Sequence, residues 1–203
     1  MVVFLAITSR HTVPAKFLNT IIPMVQYNAS QNIKTWVYND LDISMDVSRN
    51  KCVEKFFETD ADWLFFLDTD TFMEPNTIEL LLNHGKKIIG GIYTSRHEPY
   101  LPIAYKKVDG KLTPITEIPN KIFQVDALAT GCLLIHKSVF EKMKKPYFEY
   151  EKDANKERIL KSEDVFFCEK AKKEGFEIFA DPSIKVWHYG SVADLELFKK
   201  FKK

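Results

Sequence analysis

The apolar residues of this chain fall into short unbroken runs separated by polar, amphipathic stretches. The first run, Val2-Val3-Phe4-Leu5-Ala6-Ile7, reads as a buried strand, and the polar segment Thr8-Ser9-Arg10-His11-Thr12 follows it before Pro14 opens a helix. Phe17, Leu18, Ile21 and Ile22 recur at helical intervals and are expected to face the core, after which Lys34 to Tyr38 reads as a second strand. A second helix is expected from Asp46 to Phe57, burying Val53, Phe56 and Phe57. Trp63-Leu64-Phe65-Phe66-Leu67 shows no polar alternation and suits a strand covered on both faces. Strand, helix and strand in succession predict an α/β protein with a mostly parallel central sheet.

Further along, Ile78, Leu81 and Leu82 mark a helix, and Lys87 to Tyr93 a strand whose Gly90 and Gly91 permit close backbone approach. From Arg96 to Phe123 the chain becomes rich in Pro, Tyr and short alternating segments, with Asp109-Gly110 as a hairpin signal, so a small antiparallel insertion is expected. Val125 to Ile135 returns to the core, and Ser138 with Glu141 has the spacing of a capping box opening a short helix. Tyr147 to Leu160 reads as a charged, mobile loop. Ser162-Glu163-Asp164 then precedes a helix with Val165, Phe166 and Ala171 inward, Phe176 to Phe179 reads as a last short strand, and Val186-Trp187-His188-Tyr189 follows after Pro182. The chain is expected to form one domain over residues 1–203, with a nucleotide-binding part near 1–95, an acceptor part near 96–190 and a basic amphipathic helix near 191–203. That last segment suits docking on the protein surface or peripheral contact with an anionic membrane.

Composition narrows the function classes. With 45% hydrophobic content over 203 residues the chain can bury a substantial core. A formal net charge of +1 gives no global case for nucleic-acid binding. Cys52, Cys132 and Cys168 have no Cys-x-x-Cys spacing and sit among apolar residues, as reduced core cysteines do, and no run is long enough for a membrane span. A soluble, cytoplasmic protein is expected.

The candidate chemistry sits at strand ends and helix starts. Asp68 and Asp70 follow a buried strand and share one side of it if the chain stays extended, where a divalent cation would relieve their repulsion. Alone, the same residues before Glu74-Pro75 suit a capped turn. Glu163 and Asp164 equally suit the positive end of a helix, and His188 beside Trp187 suits a core histidine. The ordered set is more specific. Asp68-Thr69-Asp70 with Arg49-Asn50 before it, Val125 to Ile135, Glu163-Asp164, and Pro182 to His188 together resemble the glycosyltransferase A-type (GT-A) fold, family 2-like, as a minimal catalytic core.

That resemblance implies a metal-dependent, inverting glycosyltransferase that uses a nucleotide-sugar donor and a carbohydrate, lipid or protein hydroxyl acceptor. It implies Mn²⁺ or Mg²⁺ held by Asp70 with Asp68 and His188, and a donor contacted by Thr8, Ser9, Arg10, Arg49, Asp68 and Arg96. Asp126 and Gly131 would lie at the acceptor, and Asp164, or Glu163 in its place, would be the base. Two other readings stand beside it: a nucleotidyltransferase, for which the loop after the first strand lacks a phosphate-cradling glycine, and a noncatalytic sugar- or nucleotide-binding module.

Overall fold

The structure is a computed structural model describing residues 1–9, 12–42, 44–96, 98–155 and 157–188. Strand β1 (Val2–Thr8) leads through a 3₁₀ turn into helix α1 (Leu18–Ser30), strand β2 (Lys34–Asp40) and helix α2 (Met45–Phe57). Strand β3 (Trp63–Asp68), the short strand β4 (Thr71–Met73), helix α3 (Thr77–Asn83) and strand β5 (Ile88–Gly91) follow. The insertion comprises β6 (Ala104–Val108), β7 (Lys111–Pro114), β8 (Phe123–Val125) and β9 (Ala127–Leu128). The chain then forms β10 (Cys132–His136), α4 (Lys137–Lys142), the small hairpin β11 (Glu151–Lys152) and β12 (Ile159–Lys161), α5 (Glu163–Lys173), β13 (Ile178–Asp181) and β14 (Val186–His188). No helix of the described residues is long and apolar enough to cross a membrane.

A seven-stranded sheet in the order β2-β1-β3-β10-β5-β13-β8 forms the centre. β1 pairs in parallel with β2 and β3, and β13 with β5, while β10 and β8 run against their neighbours, so most strands point one way. Alternation along the strands divides the core between two faces. Phe4, Ala6, Leu64 and Phe66 point to the face covered by Cys52, Val53 and Phe56 of α2, Phe140 of α4 and Phe167 of α5. Val3, Leu5, Ile7, Phe65 and Leu67 point to the other, under Met24 of α1 and Ile78 and Leu81 of α3. The unbroken apolar run of β3 is thus buried on both sides, as its pattern predicts. The α/β class, the mostly parallel sheet and the antiparallel insertion all follow the expectation. In the insertion, Asp109 and Gly110 both take positive φ and connect β6 to β7 through a two-residue turn, with Val108 opposite Lys111.

Several local expectations are corrected. Leu18 and Ile22 are half exposed, and α1 buries Thr20, Met24 and Asn28 with Phe17 just before it, because the tight turn through Phe17 rotates the helix so that these residues form the inner stripe. Phe57 is exposed at the end of α2, where the buried place goes to Arg49 and Cys52. The cap of α4 is His136, whose Nδ1 accepts from Ser138 N at 3.1 Å; Ser138 lies within the helix. On α5 Ala171 is buried as expected, but it is joined by Phe167 and Cys168, with Val165 and Phe166 only partly covered. Tyr147 and Phe148, expected in a mobile loop, are core residues, Phe148 stacking on Phe167 at 4.8 Å between centroids. The expected C-terminal helix lies outside the described residues, as does Arg10.

Candidate active site

Parallel strands end together, so the edge where β1 and β3 stop carries Thr8 and Asp68 side by side in register. Ligand crevices of open α/β sheets lie beyond such carboxyl ends. Here a cavity of about 660 Å³ opens, lined by Thr8, Ser9, Arg49, Asp68, Asp70, Tyr93, Arg96, Thr130, Tyr150, Glu163, Asp164 and His188 among others. Nearly all the candidate residues of the sequence analysis therefore meet in one place, although they come from separate stretches of chain.

The floor of the cavity is an ion-pair chain. Arg49, 2% exposed, sends Nη2 to both oxygens of Asp68 at 3.0 and 3.3 Å and Nε to Glu163 Oε1 at 3.3 Å. Thr8 Oγ1 donates to Asp68 Oδ1 at 2.8 Å. Burial lowers the affinity of the guanidinium for its proton, but the charges of Asp68 and Glu163 more than offset this and hold Arg49 above its ordinary value. Asp68 and Glu163 are thereby tied to the same buried cation from opposite sides.

Asp70 faces a different partner. Arg96 Nη2 pairs with Asp70 Oδ2, and Arg96 Nε donates to His188 Nε2 at 3.1 Å. His188 is brought there by register: β14 pairs antiparallel with β4, setting His188 opposite Thr71, next to Asp70. Its Nδ1 donates to the Thr94 carbonyl at 2.9 Å, so Nε2 presents a lone pair, 3.6 Å from Asp70 Oδ1. Burial first, and then Arg96, lower the His188 pKa against the hydrogen bond to Thr94 and so favour the neutral ring.

At the opposite wall α5 presents its first turn. Asp164 Oδ1 accepts from Ser162 Oγ and, at 2.8 Å, from Val165 N. Burial and the adjacent Glu163 charge push Asp164 up to about 6 against these hydrogen bonds and Arg49. A carboxyl with that pKa exchanges protons near neutrality, as a general base must.

Gly131 does not line the cavity but braces it. Its N–H donates to Tyr93 Oη at 3.0 Å, and its carbonyl accepts from Thr71 Oγ1 at 2.9 Å. A Cβ there would lie 2.5 Å from Tyr93 Oη and 2.8 Å from Asp68 Oδ2, so only glycine lets the backbone pass beneath the carboxylate. Asp126 stands apart. It pairs with Lys172, approaches Lys106 Nζ at 3.7 Å and accepts from Lys107 N at 2.7 Å, in a smaller pocket against α5.

The fold has counterparts among solved structures. The crystal structure of A197 from STIV aligns with a TM-score of 0.58 at 21% identity, over 93% of this chain and 85% of that one. The inositol-1-phosphate CTP transferase from T. maritima aligns with a TM-score of 0.48 at 12% identity, over 98% of this chain and 96% of that one. S. aureus TarS in complex with UDP-GlcNAc aligns with a TM-score of 0.47 at 11% identity, over 98% of this chain and 61% of that one. No protein-family model matches the sequence, and no curated protein matches it. The likeness is one of fold.

The donor set can be tested against a divalent cation. Among the described residues no group of three or more His, Cys, Asp or Glu side chains is placed to hold a metal. Two donors nevertheless suit one: the Asp70 carboxylate and His188 Nε2, whose tautomer is held by Thr94 as an outer partner holds a ligating imidazole. Such a pair fits a cation that takes its remaining oxygens from phosphate and water. Asp68 fits less well, since both its oxygens face Arg49.

Tyr93, Thr130 and Tyr150 line the cavity and were not singled out as site residues by the sequence. Tyr93 closes an apolar run at the same sheet edge as Asp68, the one signal that marks it. Burial and then the Asp68 and Asp164 charges hold its phenol well above its ordinary value, and its ring lies edge-on to His188 at 5.2 Å.

Proposed function

We propose that this chain is a glycosyltransferase that moves a sugar from a nucleotide-sugar donor to an acceptor hydroxyl with inversion, assisted by Mn²⁺ or Mg²⁺. The observation that carries the reading is the meeting, in one cavity, of the Asp164 carboxyl with the Asp70 and His188 pair. Such a cavity supplies the two things that transfer needs: a proton acceptor for the attacking hydroxyl and cationic stabilisation for the leaving diphosphate.

In this reading the acceptor oxygen forms its bond to the anomeric carbon as the bond from that carbon to the diphosphate oxygen breaks. The acceptor proton passes to Asp164, and attack from the face opposite the leaving group inverts the centre. Arg96, at the rim with Asp70 and His188, is placed to receive phosphate oxygens, since a guanidinium pairs well with them. Arg49, buried between Asp68 and Glu163, acts by holding those carboxylates in place. Glu163 is committed to Arg49, which leaves Asp164 as the base. A divalent cation bound by Asp70 and His188 would supply further charge stabilisation to the departing diphosphate.

A thermal-shift series tests this. Nucleoside diphosphates and nucleotide sugars, each with and without Mn²⁺, are expected to raise the melting temperature of the protein by mass action, with the larger rise when Mn²⁺ is present. In Asp70→Ala the Mn²⁺-dependent part of the rise should vanish along with turnover; an unchanged rise with unchanged turnover removes the metal assignment. Release of pyrophosphate in place of a nucleoside diphosphate would redirect the reading to nucleotidyl transfer.

A further inference from the structure

A second cavity, of about 370 Å³, lies where the insertion packs against the last turns of α5, lined by Lys107, Leu112, Asp126, Glu169, Lys172 and Lys173. No residue lines both this cavity and the one that holds Asp164. Along α5 the two are separated by the eight residues from Asp164 to Lys172, about 12 Å of helix axis.

The charges of the second cavity do not balance. Asp126 is engaged by Lys172, by Lys106 Nζ at 3.7 Å and by Lys107 N at 2.7 Å. Glu169 is engaged by Lys161 of β12 at 2.9 Å. Both carboxylates of the lining are thus taken, and among the described residues neither Lys107 Nζ nor Lys173 Nζ has a carboxylate partner. Burial and the charges of Lys106 and Lys107 lower the Lys172 pKa, so the ammonium groups act on one another. Lysines in the last turn of a helix complement its dipole, which accounts for Lys172 and Lys173. It does not account for Lys106 and Lys107, which β6 brings to the same place.

Two exposed ammonium groups without carboxylates, carried on two different elements, suit one dianion. A carboxylate or a sulfate ester brings a single negative charge. A phosphate monoester carries about −1.5 to −2 near pH 7 and three acceptor oxygens, enough to answer both lysines. We propose that this cavity binds the phosphate group of a phosphomonoester, with Lys107 Nζ and Lys173 Nζ donating to its oxygens while Asp126 holds Lys106 and Lys172 beside them. The site stands apart from the nucleotide-sugar reading and needs no part of it.

Titration of the whole chain with glycerol 2-phosphate, followed by amide nuclear magnetic resonance, tests it. The amides of Lys106, Lys107, Lys172 and Lys173 are expected to shift along one saturating curve, and to do so equally in Arg96→Met, which removes the guanidinium of the other cavity. In the paired substitution Lys107→Gln with Lys173→Gln the affinity falls about tenfold or more, as loss of two charge-assisted hydrogen bonds requires. Its melting temperature is unchanged because both side chains are exposed, and Lys107→Arg with Lys173→Arg keeps the affinity. Methyl sulfate, a monoanion, binds about tenfold more weakly than glycerol 2-phosphate. Vesicles of equal parts phosphatidylcholine and phosphatidic acid present the same group at a surface. Co-sedimentation that the paired Gln substitution abolishes supports the site with a lipid headgroup as its source; binding of glycerol 2-phosphate without co-sedimentation supports it with a soluble one. The proposal is overturned by absence of saturable binding to the wild-type chain, by equal affinity for methyl sulfate, or by affinity unchanged in the paired Gln substitution. Shifts confined to amides near Arg96 and lost in Arg96→Met also overturn it.

Discussion

At the scale of single residues, the adjacent carboxylates Glu163 and Asp164 are separated in role by their partners. Glu163 finds a buried guanidinium, whereas Asp164 has a hydroxyl and a backbone N–H on Oδ1 and the Glu163 charge beside it. Raised to about 6 from the ordinary aspartate value, Asp164 binds its proton more tightly folded than unfolded. The folded state is therefore favoured by Asp164 below the unfolded value and progressively loses that favour as pH rises through 6. Asp164→Asn is expected to abolish turnover, by about 10²-fold or more for loss of a general base, while retaining donor binding. Its melting temperature should match the wild type near pH 4 and exceed it at pH 7.5, and the wild-type rate should show an acidic limb near pH 6. Melting curves and rates across pH 4–8 check all three outcomes. The doublet itself was plain in the sequence; the inequality was not, because it depends on Arg49, 114 residues from Glu163 along the chain.

At the scale of elements, strand pairing places the site residues and the helices stiffen them. The β4–β14 ribbon brings His188 to Asp70, and the antiparallel entry of β10 brings Gly131 under Asp68. The segment joining α4 to α5 has two parts of different character. Phe148 packs between Phe66 of β3 and Phe167 of α5, at 5.3 and 4.8 Å between centroids, while Ile159 and Leu160 of β12 are exposed. Phe148→Ala should cost about 3–5 kcal/mol of stability, the range for emptying a buried aromatic site, whereas Leu160→Ser should stay within about 0.5 kcal/mol. Chemical denaturation of the two variants tests whether the segment is anchored at Tyr147-Phe148. Its charged composition concealed those anchors, since two aromatic residues among polar ones carry no period.

At the scale of the whole molecule, the cavity joins the sheet edge to the insertion through Arg96. Its guanidinium engages both Asp70 and the His188 lone pair, so a cation coming to those donors must meet or displace it. Arg96→Met is expected to raise Mn²⁺ affinity of the nucleotide-free protein about tenfold, as removal of a like charge at close range predicts, and to weaken nucleoside diphosphate binding. Mn²⁺ titrations followed by electron paramagnetic resonance, with and without UDP, would detect both changes. The sequence by itself determined the α/β class, the doubly covered β3, the Asp109-Gly110 turn and the polar residues that end buried strands, because these follow from local periodicity and turn chemistry. Tertiary structure alone decided which of those residues meet. It set Arg49 between Asp68 and Glu163, turned Leu18 and Ile22 outward and sent Asp126 to the lysines of another pocket. The physical reason is that register, helix rotation and ion pairing between distant segments are settled by packing across the sheet, and packing has no signature in local spacing.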